Sequence, residues 1–109
     1  MLTTIGRAAG LAMAATLFAL PALADEKFAL GRTVFLERAE PACGICHTLA
    51  DAGTSGEIGP TFASLRPSYD VVYRAITEGI GPMLPYTDHL SEEELDALAH
   101  YVSTAAAQE

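Results

Sequence analysis

The chain has 109 residues, which limits it to one small domain. All 14 acidic residues follow position 24, but only five of the six basic residues do, so residues 25–109 carry a side-chain balance of −9 with neutral histidine. This charge argues against nucleic acid and against an anionic membrane surface as partners. It favours a partner protein with a basic docking patch, although simple solubility would explain the same charge.

The first 24 residues have the pattern of an export signal. Arg7 supplies a positive charge, an uncharged apolar run follows over residues 8–20, and Ala22-Leu23-Ala24 provides a small-x-small cleavage site. The run is shorter than the roughly 20 residues that a helix needs to cross a bilayer. We therefore expect a cleavable signal peptide over residues 1–24, a periplasmic location and no stable membrane insertion after cleavage. A retained anchor is the alternative.

The next two segments have helical periodicity. The first covers about residues 26–38 and ends before Pro41, because a residue that precedes proline is disfavoured in helical conformation. The second covers about residues 69–78. Ser68 can cap its first turn, and Gly79 suits the C′ position after its last turn.

A third helix is predicted over about residues 92–105. Ser91 and Glu94 have the spacing of a capping box, and the acidic first turn suits the positive end of the helix dipole. Its apolar stripe consists of Leu95, Leu98, Ala99, Val102 and Ala105. No segment predicts a strong strand, so the expected fold class is all-α. The connections are rich in glycine and proline and predict ordered loops around a bound group.

The strongest motif is Cys43-Gly44-Ile45-Cys46-His47, which has the spacing of a covalent haem attachment site. Two intervening residues let both thiols reach vinyl groups on one edge of a porphyrin. The adjacent His47 then lies under the ring, where its imidazole can ligate iron. A domain of residues 25–109 is small enough to need a stabilising cross-link or bound group. A disulfide between these neighbouring cysteines would close almost no loop and would stabilise the fold little. One covalently bound haem c would provide that stabilisation.

Two other uses of the same cysteines are considered. A Cys-x-x-Cys pair can be a redox-active disulfide in an exported protein, but no βαβ pattern surrounds it here. A zinc site would need four ligands, and either His89 or His100 would have to join Cys43, Cys46 and His47.

Met83 is the only methionine after the predicted signal. It lies in Gly81-Pro82-Met83-Leu84-Pro85, a segment that predicts a stiff non-helical loop. A thioether held on such a loop can complete six-coordinate iron opposite His47, and this ligation raises the reduction potential. The alternatives are a methionine that fills a gap in the core, or His89 or His100 as the sixth ligand.

Four further residues are expected near the haem. The carbonyl of Pro60 is a candidate acceptor for the second ring nitrogen of His47, which would fix the orientation of the ring. The side chains of Arg66, Arg74 and Tyr86 could reach the haem propionates. The alternative for each of these three is an exposed side chain without a special contact.

These motifs, in this order, resemble those of the class I (mitochondrial-type) c cytochromes over essentially all of residues 25–109. The resemblance implies a small single-haem cytochrome c fold, with about three main helices and ordered loops around the haem. It also implies a contact of Gly31 and Phe35 with Tyr101, with Leu98 nearby, and the roles given above for Pro60 and Met83. A four-helix cytochrome c′ carries its haem motif near the C-terminus and does not fit.

The stretch from Cys43 to Pro60 is similar to that of small cytochromes that accept electrons from periplasmic sulfite dehydrogenases, which are molybdenum enzymes. The implied function is an electron carrier between such a dehydrogenase and a downstream oxidase or another cytochrome, with no catalytic residues of its own. The alternatives are a haem subunit permanently bound to a dehydrogenase, an enzyme or gas sensor with an open iron position, and a haem-free thiol–disulfide protein.

Overall fold

The computed structural model describes residues 1–6, 8–15 and 19–109, and side chains at 19–22 are not described. Its helices are α1 (Ala19–Thr33), α2 (Cys43–Cys46), α3 (Phe62–Leu65), α4 (Tyr69–Glu78) and α5 (Glu92–Ala106). A π-helical turn, Val34–Arg38, continues α1, and strands β1 (Thr48–Leu49) and β2 (Thr54–Ser55) form an antiparallel hairpin. The expected all-α class with three main helices is confirmed.

The predicted boundaries of α4 and α5 agree with the structure to within one residue. The side chain of Ser68 accepts a hydrogen bond from the backbone N–H of Val71, and Ser91 and Glu94 form both bonds of the capping box. Gly79 ends α4 with φ of 77°, a conformation that favours glycine. The side chains of Ser68, Ser91 and Glu94 accept hydrogen bonds from backbone N–H groups that the start of a helix leaves unpaired, which is why local sequence was sufficient here.

The first helix differs from the prediction at its start. It begins at Ala19, inside the predicted signal peptide, and changes to π-helical geometry at Val34. The Ala39 N–H donates to the Val34 carbonyl at 2.9 Å, which closes the wider turn and leaves Ala39 buried. Arg7 and residues 16–18, which belong to the predicted signal, lie outside the described residues.

The hairpin is the second difference, because no strand was expected. It has only two residues in each strand, too few for a periodic pattern to reveal. The Thr54 hydroxyl accepts from the Leu49 N–H and donates to the His47 carbonyl, and Gly53 adopts φ of 68° in the turn. The hydrogen bonds of the Thr54 hydroxyl and the left-handed backbone conformation of Gly53 therefore stabilise this hairpin, which immediately follows the haem motif.

Helices α1 and α5 cross where Gly31 lies against α5. A Cβ atom at Gly31 would lie 2.1 Å from the Ala97 carbonyl oxygen and 2.4 Å from the Tyr101 Cβ. The fully buried rings of Phe35 and Tyr101 meet edge to face, with centroids 5.8 Å apart. The expected contact of Gly31 and Phe35 with Tyr101 is confirmed. The predicted apolar stripe of α5 is buried from Leu95 to Ala105 and belongs to the hydrophobic core.

Within the described residues, no helix combines the length and the apolar character needed to cross a bilayer.

Substitution of Gly31 by alanine should strongly destabilise the fold. The added methyl group would overlap backbone atoms of α5, which cannot move aside as a flexible side chain can. We expect a loss of about 1–3 kcal/mol or more in the free energy of unfolding, measured by denaturant titration of the haem-loaded protein. Ala29→Ser, at an exposed position of α1, is the control and should change little. Equal stability of the two variants would contradict the close crossing.

Candidate haem-binding site

The haem motif forms one helical turn, α2, followed by an extended residue. Cys43 and Cys46 are three residues apart on this turn and therefore share a face of the helix. The His47 N–H donates to the Cys43 carbonyl at 3.0 Å, and His47 itself is extended, with φ of −121°. Because of this change of conformation, the His47 side chain departs from the helical turn directly after the second cysteine.

His47 is held through one of its ring nitrogens. Its Nδ1 lies 2.8 Å from the carbonyl oxygen of Pro60, so Nδ1 must carry the proton and donate it. The neutral ring then has a lone pair on Nε2, the form in which histidine binds a metal. The hydrogen bond expected between His47 and Pro60 is therefore present in the structure.

Two neighbours restrict the faces of the same ring. A Cβ atom at Gly59 would lie 2.5 Å from the His47 Cε1, so only glycine leaves room for the imidazole. Phe62 stacks on the ring, with centroids 4.6 Å apart and planes inclined by 18°. Sequence reasoning missed Phe62 and the role of Gly59. The available signal was an aromatic residue two positions after the expected acceptor, Pro60.

The thiol of Cys43 lies in an environment unlike that of a reactive thiol in a redox-active disulfide. Burial raises the pKa of the Cys43 thiol to about 12, whereas redox-active thiols have a lowered pKa that favours the thiolate. For a zinc site, no group of three or more His, Cys, Asp or Glu residues with suitable geometry occurs in the described part of the chain. His89 instead accepts a hydrogen bond from the Glu40 N–H at its Nε2, 3.1 Å away.

The Met83 loop is a tight turn stabilised by its own backbone. Ile80 and Met83 exchange two N–H to carbonyl bonds of 3.0 and 2.9 Å, and Gly81 between them has φ of 53°. A Cβ atom at Gly79 would lie 2.8 Å from the Met83 carbonyl oxygen. Met83 is half-buried and packs against the core. The expected stiff, non-helical loop is present, because two glycines and two reciprocal hydrogen bonds restrict it.

The three side chains expected near the propionates have different surroundings. Tyr86 is buried, and its hydroxyl donates to the Pro41 carbonyl at 2.8 Å. Burial raises the pKa of Tyr86 to about 12, so the hydroxyl keeps its proton at neutral pH. Arg66 donates to the main-chain carbonyl of Glu109, and Arg74 is exposed. Propionate contacts remain predictions, and Tyr86 could donate to one only by giving up Pro41.

The residues of the site fit a haem. They supply two thiols on one helix face, an imidazole with a free Nε2, and a thioether on a stiff loop. Six large apolar side chains between residues 45 and 84 are 50–78% exposed in the protein alone: Ile45, Ile58, Leu65, Val71, Ile80 and Leu84. A porphyrin is an apolar group that could cover some of them.

The fold and this donor set define a c-type cytochrome with one covalently bound haem c. A family model described as "Cytochrome C oxidase, cbb3-type, subunit III" matches residues 26–102, and the chain belongs to this family. Among solved structures, it is similar to the c-type cytochrome SorU from Sinorhizobium meliloti, with 52% identity and a TM-score of 0.73. The match covers 75% of this chain and 93% of SorU. No curated protein matches. The chain is thus an electron-transfer protein that works with redox partners.

Substitution of Gly59 by alanine should loosen the hold on His47, the expected iron ligand. The added methyl group would push the ring away from Pro60, and loss of such an outer contact weakens metal affinity by about tenfold or more. Protons should then displace the imidazole from iron at a pH about one unit higher, as followed by acid titration of the haem absorption.

Gly53→Asn is the matched control for this substitution. It lies in the same part of the chain, has no atom within 4 Å of an added Cβ, and asparagine tolerates its positive φ. Coincident acid titrations of the two variants would contradict the role given to Gly59.

Proposed function

We propose that this protein is an exported carrier of single electrons, with its haem held by thioethers at Cys43 and Cys46. In this proposal, the His47 imidazole and the Met83 thioether would hold the iron. The observation that carries it is the His47 imidazole, fixed at Nδ1 by Pro60 beside both cysteines and so free to bind iron through Nε2. The haem, when bound, exchanges one electron as its iron changes between the ferric and ferrous states.

The chain's own residues set the properties of this exchange. The Pro60 carbonyl orients the His47 ring by accepting a hydrogen bond from Nδ1–H, and this bond would make Nε2 a stronger donor to iron. The soft sulfur of Met83 favours ferrous iron and raises the reduction potential. If His47 and Met83 both held the iron, their side chains would keep oxygen and peroxide from it. Electron transfer is therefore favoured over oxygen chemistry.

Substitution of Met83 by alanine should lower the midpoint potential and open the sixth position. The measurement is a redox titration of the purified haem protein, together with the absorption band of the methionine–ferric iron bond. His100→Ala is the control, because it removes a rival ligand on α5 and should leave both observations unchanged. An unaltered potential and spectrum in Met83→Ala would mean that another residue ligates the iron.

A periplasmic sulfite dehydrogenase is the proposed electron donor, and a downstream oxidase or another cytochrome is the proposed acceptor. The export signal pattern over residues 1–24 supports the compartment. The resemblance of residues 43–60 to cytochromes that serve such dehydrogenases supports the donor. The side-chain balance of −9 over residues 25–109 supports docking on a basic surface. Permanent association with the dehydrogenase, as its haem subunit, is the second candidate.

The exposed acids at the start of α5 are proposed to contribute to docking. Glu92 and Glu93 are exposed, whereas Glu94 pairs with Arg38, whose guanidinium lowers the pKa of that carboxyl. The acidic end of α5 therefore presents two negative charges to solvent next to its capping box, and no basic side chain among the described residues forms a salt bridge with them.

Reduction of the protein by a purified sulfite dehydrogenase should slow as salt is added. Screening of complementary charges lowers steered association rates, and we expect a fall of about tenfold or more from low to high ionic strength. Glu92→Gln combined with Glu93→Gln should slow reduction at low salt, whereas Glu78→Gln, at the exposed end of α4, should do so less. A rate independent of salt would contradict charge-steered docking, and co-purification as a stable complex would favour the subunit alternative.

A further inference from the structure

Two hydrogen bonds join the segment just before the haem motif to the segment just after Met83. The Tyr86 hydroxyl donates to the Pro41 carbonyl at 2.8 Å, and the Glu40 N–H donates to the His89 Nε2 at 3.1 Å. The Glu40 N–H and the Pro41 carbonyl belong to neighbouring residues, which lie three and two positions before Cys43.

Tyr86 is well placed to transmit this restraint to Met83. Its backbone N–H donates to the carbonyl of the buried Ile76 in α4 at 2.8 Å, and its own carbonyl accepts from Leu90 at 3.1 Å. The ring is only 6% exposed. Tyr86 is thus fixed to α4 and to the turn before α5 while its hydroxyl reaches Pro41. Met83 lies three residues away, on a loop whose other end is restricted by Gly79.

The two ends of the haem site differ in how they are held. Cys43 and Cys46 would be bound to the haem covalently, so the segment that begins at Pro41 has little freedom. The Met83 sulfur would be bound only through iron, and it leaves if its loop swings outward. If the loop opens together with Tyr86, three residues after Met83, the Tyr86–Pro41 hydrogen bond is lost on opening. On that premise the bond stabilises the closed state alone.

We propose that Tyr86 is a positioning residue for the sixth iron ligand, which acts by tying the end of the Met83 loop to Pro41. His89 supports the same connection from the solvent side through Glu40. This inference rests on the proposed ligation of iron by Met83. It assigns to Tyr86 a role different from the propionate contact expected from sequence. The role depends on the hydrogen bond that the Tyr86 hydroxyl donates to the Pro41 carbonyl.

The expected effect follows from the usual net strength of one hydrogen bond. Removal of a partly buried bond that is present only in the closed state should shift the opening equilibrium by about 2- to 10-fold. His89→Ala should have a smaller effect in the same direction, since its bond to Glu40 is exposed to solvent.

The test is an imidazole titration of the ferric haem-loaded protein, followed by loss of the methionine–iron absorption band. Tyr86→Phe keeps the buried ring and removes only the hydroxyl. Tyr69→Phe is the matched control, because it removes a hydroxyl that donates to Asp96 at 2.6 Å and joins α4 to α5 away from Pro41. Unfolding by denaturant is measured for both variants to compare their overall stability.

The inference predicts that imidazole displaces Met83 at about 2- to 10-fold lower concentration in Tyr86→Phe than in the wild type, with Tyr69→Phe unchanged. Identical titrations of Tyr86→Phe and the wild type, or an equal shift in both phenylalanine variants, would overturn it. A wild-type protein without the methionine–iron band would instead show that the proposed ligation by Met83 is wrong, so the two failures are distinguishable.

Discussion

Tyr101 connects the helix crossing to the haem segment, and much of the structure depends on it. Its Cβ lies against Gly31 at the crossing of α1 and α5, and its ring packs edge to face on Phe28 and Phe35. Its hydroxyl donates to the Asp51 carboxylate at 2.6 Å, in the turn between β1 and β2. Burial and this carboxylate raise the pKa of Tyr101, so the donor stays protonated. One side chain thereby fixes the loop after His47 relative to the two longest helices.

The consequences of that restraint reach the iron ligands through short chain segments. The hairpin after His47 is closed by Thr54, and the following segment returns to place Gly59 and Pro60 against the imidazole. On the other side, Gly79 and Tyr86 restrict the two ends of the Met83 loop. The protein therefore orders both proposed ligands before any electron is exchanged. A carrier needs this property, because ligands that move little between oxidation states allow fast outer-sphere transfer.

The sequence predicted those features that depend on local chemistry. The caps at Ser68, Ser91 and Gly79 follow from unpaired groups at helix ends, and the haem motif follows from fixed spacing. The contact of Gly31 with Tyr101 came from a family resemblance rather than from periodicity. Other contacts between distant residues could not be read from either source. Phe62 on His47 and Tyr86 on Pro41 depend on how ordered loops fold back, and loop conformation has no periodic signature.

The π-helical turn shows the same limit in another form. Residues 26–38 have continuous helical periodicity, and the wider turn at Val34 adds one residue without breaking that pattern. The wider turn buries Ala39 and directs the chain toward Pro41, whose carbonyl accepts the hydrogen bond from Tyr86. Such a change depends on tertiary packing, which a single sequence does not display.

The central proposal is that His47 and Met83 would both hold the haem iron, as expected of an electron carrier. The most direct measurement is the absorption spectrum of the reduced protein at neutral pH before and after addition of carbon monoxide. A closed site predicts an unchanged spectrum, since the gas would have to displace the Met83 sulfur from a restricted loop. Rapid and complete formation of a carbon monoxide complex would contradict the account and would indicate an open iron position.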